Sequence, residues 1–239
     1  MASKTIIFID GDDTLWDTQG LYDRAISNAC EKISLKGFDV SRWGQAVHDA
    51  EMELMPKFGF AKERFAAALV QAYNSLCQQQ GKNPSVQLSD SIQGLGMQVF
   101  EEKAPLLPGA TETVKTLSAY LPIYLVSAGP EDIQQKRMLD SELEQFLVGY
   151  RFPAKKTAEV FGDLISELNV EPATSWHIGN SIKSDVNPAR ESGLNAILVG
   201  ERGWAYDNDG LRNAKTKLER VSQLFDVIPI LRRYYDWAD

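Results

Sequence analysis

The chain has 239 residues, 44% hydrophobic and 24% charged, with 33 acidic against 25 basic side chains and a net charge of −8. These proportions describe a globular protein able to bury a real core, as one large domain or a core with a smaller unit, and exclude wholesale disorder. The acidic balance argues against nucleic acid or an anionic membrane surface as a partner, since both call for a basic stripe.

The longest apolar run, Phe65 to Val70, falls far short of the roughly 18 residues of a membrane span. Met1 to Lys4 lead straight into a strand-like run, without the longer apolar stretch of a signal peptide. Cys30 and Cys77 have no CxxC spacing, so neither a disulfide framework nor a zinc site is expected. The expected location is cytoplasmic.

In chain order, a first apolar strand is predicted over Thr5 to Ile9. Residues 17–105 then carry no strand-like run and are too long for one crossover. Helices are predicted there over Tyr22 to Leu35, Gly44 to Met55, Ala61 to Gln80 and Ser85 to Glu102, broken at Lys36–Gly37, Pro56 and Gly81 to Pro84. Their return, Ala104 to Gly109, combines prolines that break helices with a glycine that frees the backbone, a plausible hinge. Further strands are expected over Ile123 to Val126, Val148 to Phe152, Trp176 to Ile178 and Ala196 to Val199. Helices Gly109 to Tyr120, Glu131 to Leu139 and Ala158 to Leu168 fall between them. After a Gly/Trp/Asp loop from Gly200 to Gly210, apolar residues at Val221, Leu224, Phe225, Ile228 and Leu231 predict a last amphipathic helix. This alternation is that of an α/β protein, a doubly wound, Rossmann-like parallel sheet with an inserted helical subdomain. The core is expected over residues 1–16 and 106–239, the helical insertion over 17–105.

Asp10, Asp12 and Thr14 follow the first strand directly, at the edge where open α/β sheets bind ligands. Two carboxylates in one crevice, with Gly11 allowing a tight turn, repel each other unless a cation intervenes. A hard divalent ion, Mg²⁺, suits such oxygens. Taken alone, the motif also fits a solvated acidic turn. Four further features follow in order at later strand ends: Ser127 with Ala128 and Gly129; Lys155 and Lys156; Gly179–Asn180–Ser181; and Asp185.

Together these residues resemble the haloacid dehalogenase-like (HAD) hydrolase superfamily over nearly the whole chain. The matching signatures are Asp10-Gly11-Asp12-Asp13-Thr14, Ser127, Lys156 or Lys155, and Gly179-Asn180 to Asp185. Lys-Thr-x-x-x-aromatic, ending here at Phe161, resembles the subgroup that carries Gly-Asn-Ser and favours Lys156. The helical insertion resembles the family's C1 cap. Asn180 stands where the family usually has Asp, making one metal ligand a neutral amide oxygen.

The resemblance implies that Asp10 is a nucleophile forming an aspartyl-phosphate, and Asp12 a general acid and base. Gly11, Ser127, Ala128 and Lys156, or Lys155, would hold phosphoryl oxygens. Mg²⁺ would rest among Asp10, Asp12 through its carbonyl, Asn180 and Asp185, the last orienting the metal shell and the lysine. The expected activity is Mg²⁺-dependent hydrolysis of a small phosphorylated metabolite. Dehalogenating members lack an acid at the second position, so Asp12 favours the phosphatase over a 2-haloacid dehalogenase; a non-catalytic phosphate-binding module is the other alternative. Trp16, Trp43, Phe58 and Phe60 are candidates to close over a leaving group, against the commoner use of aromatic residues as packing. Trp204 is a candidate to line the mouth of the site, and His48 and His177 read as structural.

Overall fold

A computed structural model describes residues 3–59, 61–200, 210–235 and 237. Two compact units emerge, residues 1–17 with 104–239, and residues 18–103. The first is built on a six-stranded, wholly parallel sheet: β1 (Ile7–Ile9), β2 (Ile123–Val126), β3 (Gly149–Arg151), β4 (Trp176–Gly179), β5 (Asn195–Val199) and β6 (Leu218–Val221), in the order β3-β2-β1-β4-β5-β6. Every residue of β1, β2, β4 and β5 is buried. Strands covered on both faces need no polar alternation, which is why these four read as continuous apolar runs.

Side chains alternate across the sheet. One face carries Ile6, Phe8, Tyr124 and Val126, packed with Phe161 and Leu164 from a helix over Ala158–Leu168 and with Ala189 from a short helix over Asn187–Glu191. Thr157 caps the longer of these helices, its hydroxyl accepting the Val160 N–H at 3.2 Å and satisfying an orphan donor of the first turn. Two more helices of this unit, Ala110–Ser118 and Val227–Tyr235, are in contact with one another, and the first also meets β2.

The second unit consists of four helices, Gln19–Ser34, Trp43–Phe58, Lys62–Gln79 and Val86–Glu101. Its core includes Phe65, Leu69, Tyr73 and Leu76 of the third helix, spaced to lie on one face. Trp43 is buried here and donates its indole N–H to the Ile26 carbonyl at 2.9 Å. It therefore packs the helical core.

Three expectations are corrected. Pro56 lies inside the second helix rather than breaking it; two residues before the helix end, its missing N–H removes one hydrogen bond only. The strand expected over residues 148–152 is a half-exposed edge strand of three residues. Val221 ends β6, and the final helix begins only at Val227. Among the described residues, no helix is long and apolar enough to cross a membrane. Phe60 and Trp204 lie outside the described residues.

Candidate active site

The chain passes from β1 to neighbouring β2 and outer β3, then returns to β4 on the other side of β1. This reversal opens a crevice at the carboxyl ends of β1 and β4, where Asp10 and Asn180 stand. Asp10 stays in the sheet ladder, its N–H donating to the Ile178 carbonyl at 2.9 Å. The next residues then fold tightly, with the Gly11 carbonyl accepting N–H groups of Thr14, Leu15 and Trp16 at 3.2, 2.7 and 3.2 Å. A Cβ at position 11 would overlap the Trp16 ring and come within 3.0 Å of Ser127 Oγ. Glycine is what lets the two loops meet.

Lys156 is buried and pairs with Asp10 Oδ1 at 2.7 Å and with Asp185 Oδ1. Lys155 is exposed, so the lysine brought to the cluster is Lys156. Asp185 Oδ1 also meets His177 Nε2 at 2.9 Å, while Oδ2 accepts the Ser181 N–H at 2.9 Å. With both oxygens engaged, Asp185 stands behind the lysine as its anchor. It comes from a π-helical turn, Ile182–Val186, whose preceding residue Ser181 accepts the Ser184 N–H on its hydroxyl at 2.9 Å. Gly179 is packed so closely that a Cβ there would lie 2.5 Å from Asp185 Oδ2. The Thr14 hydroxyl sits between Asp10 Oδ2, at 3.5 Å, and Asn180 Oδ1, at 3.2 Å.

The electrostatics follow from burial. Asp10 and Asp185 are two buried carboxylates sharing one buried ammonium. Burial, then the Asp185 charge, push the Asp10 carboxyl up to about 8 against the pull of Lys156. Burial also opposes the charge of Asp185, but Lys156 and His177 outweigh it and hold that carboxyl down at about 2. Lys156 is raised, since both carboxylates outweigh its burial. His177 is lowered by burial and stays neutral. With both carboxylates ionised the cluster would hold one negative charge more than it can balance, so Asp10 keeps its proton up to about pH 8.

Ser127, at the end of β2, is buried, and its hydroxyl has no hydrogen-bond partner. A buried polar group left so calls for a ligand atom. Asp12 is held by residues that sequence reasoning did not single out. Trp16 Nε1 donates to its Oδ1 at 2.6 Å, and Gln134 Nε2 and Arg137 Nη1 donate to its Oδ2 at 2.8 and 2.7 Å. Gln134 Nε2 also reaches the Ala128 carbonyl at 3.1 Å. Gln134 and Arg137 lie on the helix Glu131–Ser141, three apart and so on one face. That polar pair, on a helix starting beside Ser127, was the available signal. His177 gave none, because its partner is set by the turn after β4.

A model of the haloacid dehalogenase-like hydrolases matches residues 4–193, and the chain belongs to this family. No curated protein matches it by sequence. Among solved structures, it is similar to a haloacid dehalogenase-like hydrolase from Xanthomonas campestris, 21% identical over 98% of this chain and 97% of the other, with a TM-score of 0.77. It is also similar to YfnB of Bacillus subtilis bound to magnesium, 17% identical over 96% and 99%, TM-score 0.67. A third is the L-2-haloacid dehalogenase of Xanthobacter autotrophicus with chloropropionic acid covalently bound, 16% identical over 97% and 99%, TM-score 0.60. These likenesses are of fold.

Proposed function

We propose that this hydrolase is a Mg²⁺-dependent phosphomonoesterase acting on a small phosphorylated metabolite. The observation that carries the reading is the second carboxylate, Asp12, two residues beyond the buried Asp10–Lys156 pair and held by Trp16, Gln134 and Arg137. A halide leaving group needs no proton, whereas an alkoxide does.

The residues present fit a hard divalent cation. Burial, and after it the Asp185 charge, push the Asp10 carboxyl up to about 8, and a cation beside it would restore the carboxylate that a nucleophile must be. Among the described residues no cluster of three His, Cys, Asp or Glu side chains is placed to hold a metal. The ion would rest on the oxygens of Asp10 and Asn180 and the Asp12 backbone carbonyl, with water completing the shell, as is usual for Mg²⁺. When bound, it supplies charge neutralisation for the phosphoryl group.

Asp10 attacks phosphorus, and its carboxylate becomes the mixed anhydride of an aspartyl-phosphate. Lys156 and Ser127 hold phosphoryl oxygens, the lysine fixed by Asp185. Asp12 gives its proton to the departing oxygen and then takes one from the water that clears the intermediate, work worth roughly 10²–10⁴ in rate. In this reading residues 18–103 form the cap that the family inserts after its first strand.

The test is hydrolysis of 4-nitrophenyl phosphate by the native protein and by Asp10→Asn, each with Mg²⁺ and with EDTA. Turnover that needs the metal and is lost in the variant is expected. Release of chloride from 2-chloropropionate without metal, with no phosphate release, would overturn the reading in favour of a dehalogenase.

A further inference from the structure

The carboxylate of Asp12 accepts three N–H donors, from Trp16, Gln134 and Arg137. The Arg137 side chain is 6% exposed and that of Asp12 27%. A guanidinium has thus been withdrawn from water to meet a carboxylate that still faces it. Such a pair is a poor device for stability, because removing an arginine from water costs several kcal/mol and apolar packing serves the fold as well. It is a good device for orientation. The planar fork of arginine fixes direction as well as charge, and Gln134 ties the same carboxylate to the loop that carries Ser127 through the Ala128 carbonyl.

We propose that Arg137, supported by Gln134 and Trp16, is a positioning residue for Asp12, and that it suits the site to phosphate esters of alcohols, whose leaving groups need a proton. This rests on the phosphomonoesterase reading. In the first step an Asp10 oxygen forms a bond to phosphorus while the bond from phosphorus to the leaving oxygen breaks. The bonding pair goes to that oxygen, and the oxygen takes the Asp12 proton. Asp12 is left as a carboxylate, the form that the guanidinium binds. Arg137 therefore both aims the acid and stabilises what the acid becomes. Its contribution falls on alkoxide-like leaving groups and vanishes for those that depart unaided.

The experiment is a leaving-group series in Mg²⁺, comparing kcat/KM for 2,4-dinitrophenyl, 4-nitrophenyl and phenyl phosphate. This ratio reports the step in which the leaving group departs. The native protein is expected to depend only weakly on the leaving group. Arg137→Met is expected to lose about 10–100-fold on phenyl phosphate, the scale set by general acid catalysis and its geometry, and under about threefold on the dinitrophenyl ester. Arg137→Lys should recover part of the phenyl phosphate rate. Gln134→Met should show the same pattern more weakly, and it carries the test by the same criterion if thermal melting finds Arg137→Met unfolded. An equal loss on all three esters makes Arg137 merely structural and overturns the inference alone. If the native protein hydrolyses none of the esters in Mg²⁺, the phosphomonoesterase reading falls and takes the inference with it.

Discussion

Replacing Lys156 by methionine removes the one cation between two carboxylates while keeping the apolar stem. The side chains of Lys156, Asp10 and Asp185 are 3%, 5% and 1% exposed. Below about pH 8 Asp10 keeps its proton, so with His177 neutral the native cluster is balanced, and Lys156→Met leaves the Asp185 carboxylate as a buried charge without its cation. At an effective dielectric of about 20, an ion pair with charges about 4 Å apart contributes about 4 kcal/mol. One such pair, with a hydrogen bond to Asp10, is offset by the several kcal/mol needed to bury the ammonium, but the variant strands a lone buried carboxylate, so losing the lysine should cost about 3–5 kcal/mol. Lys156→Met/Asp185→Asn returns the charge to its native value and should regain at least half of that loss, while turnover stays absent. Urea unfolding in EDTA of the native protein, both single variants and the double variant gives the coupling directly. A loss below about 1 kcal/mol, or no recovery in the double variant, would refute the charge balance derived for the cluster.

In EDTA, stability should fall as pH rises from about 4 to about 8, because the folded Asp10 carboxyl titrates near 8 against an ordinary 3.8, so the stability it gives is complete below the unfolded value and lost through the folded one. Asp185, held near 2, acts oppositely: its contribution is present above pH 4 and disappears as pH drops toward 2. Thermal melts across pH check both, and Mg²⁺ should raise the Tm more at pH 8 than at pH 5. Gly179→Ala forces a methyl against Asp185; a loss of about 1–3 kcal/mol by urea unfolding is expected, with turnover falling as the lysine anchor shifts. Arg190 donates to the carbonyls of Arg212, Ala214 and Thr216 at 3.2, 2.7 and 3.1 Å. Arg190→Met should therefore cost at least about 2 kcal/mol, seen as a lower urea midpoint with kcat of the folded protein unchanged.

The sequence by itself determined the alternation of strands and helices and the residues that gather at the strand ends. Parallel strands buried on both faces must be apolar throughout, so β1, β2, β4 and β5 were legible, and Asp10, Ser127 and Asn180 are placed by where those runs stop. The half-exposed edges were not legible as such. Leu218 to Val221 carries a charged pair, and Val221 shares helical spacing with Leu224 and Phe225, so the periodicity draws the last residue of β6 into the helix and leaves the strand unmarked. The spacing to Phe161 leans toward Lys156, but tertiary structure decided which lysine enters the cluster, since Lys155 and Lys156 are adjacent and the turn after β3 buries only the second. It also decided that Asp185 binds His177 and that Asp12 binds Gln134 and Arg137, more than 120 residues away in the chain. Short-range periodicity reports which face of an element is buried. Which polar groups meet there depends on the strand order, because folding β1 between β2 and β4 is what brings distant side chains to one edge.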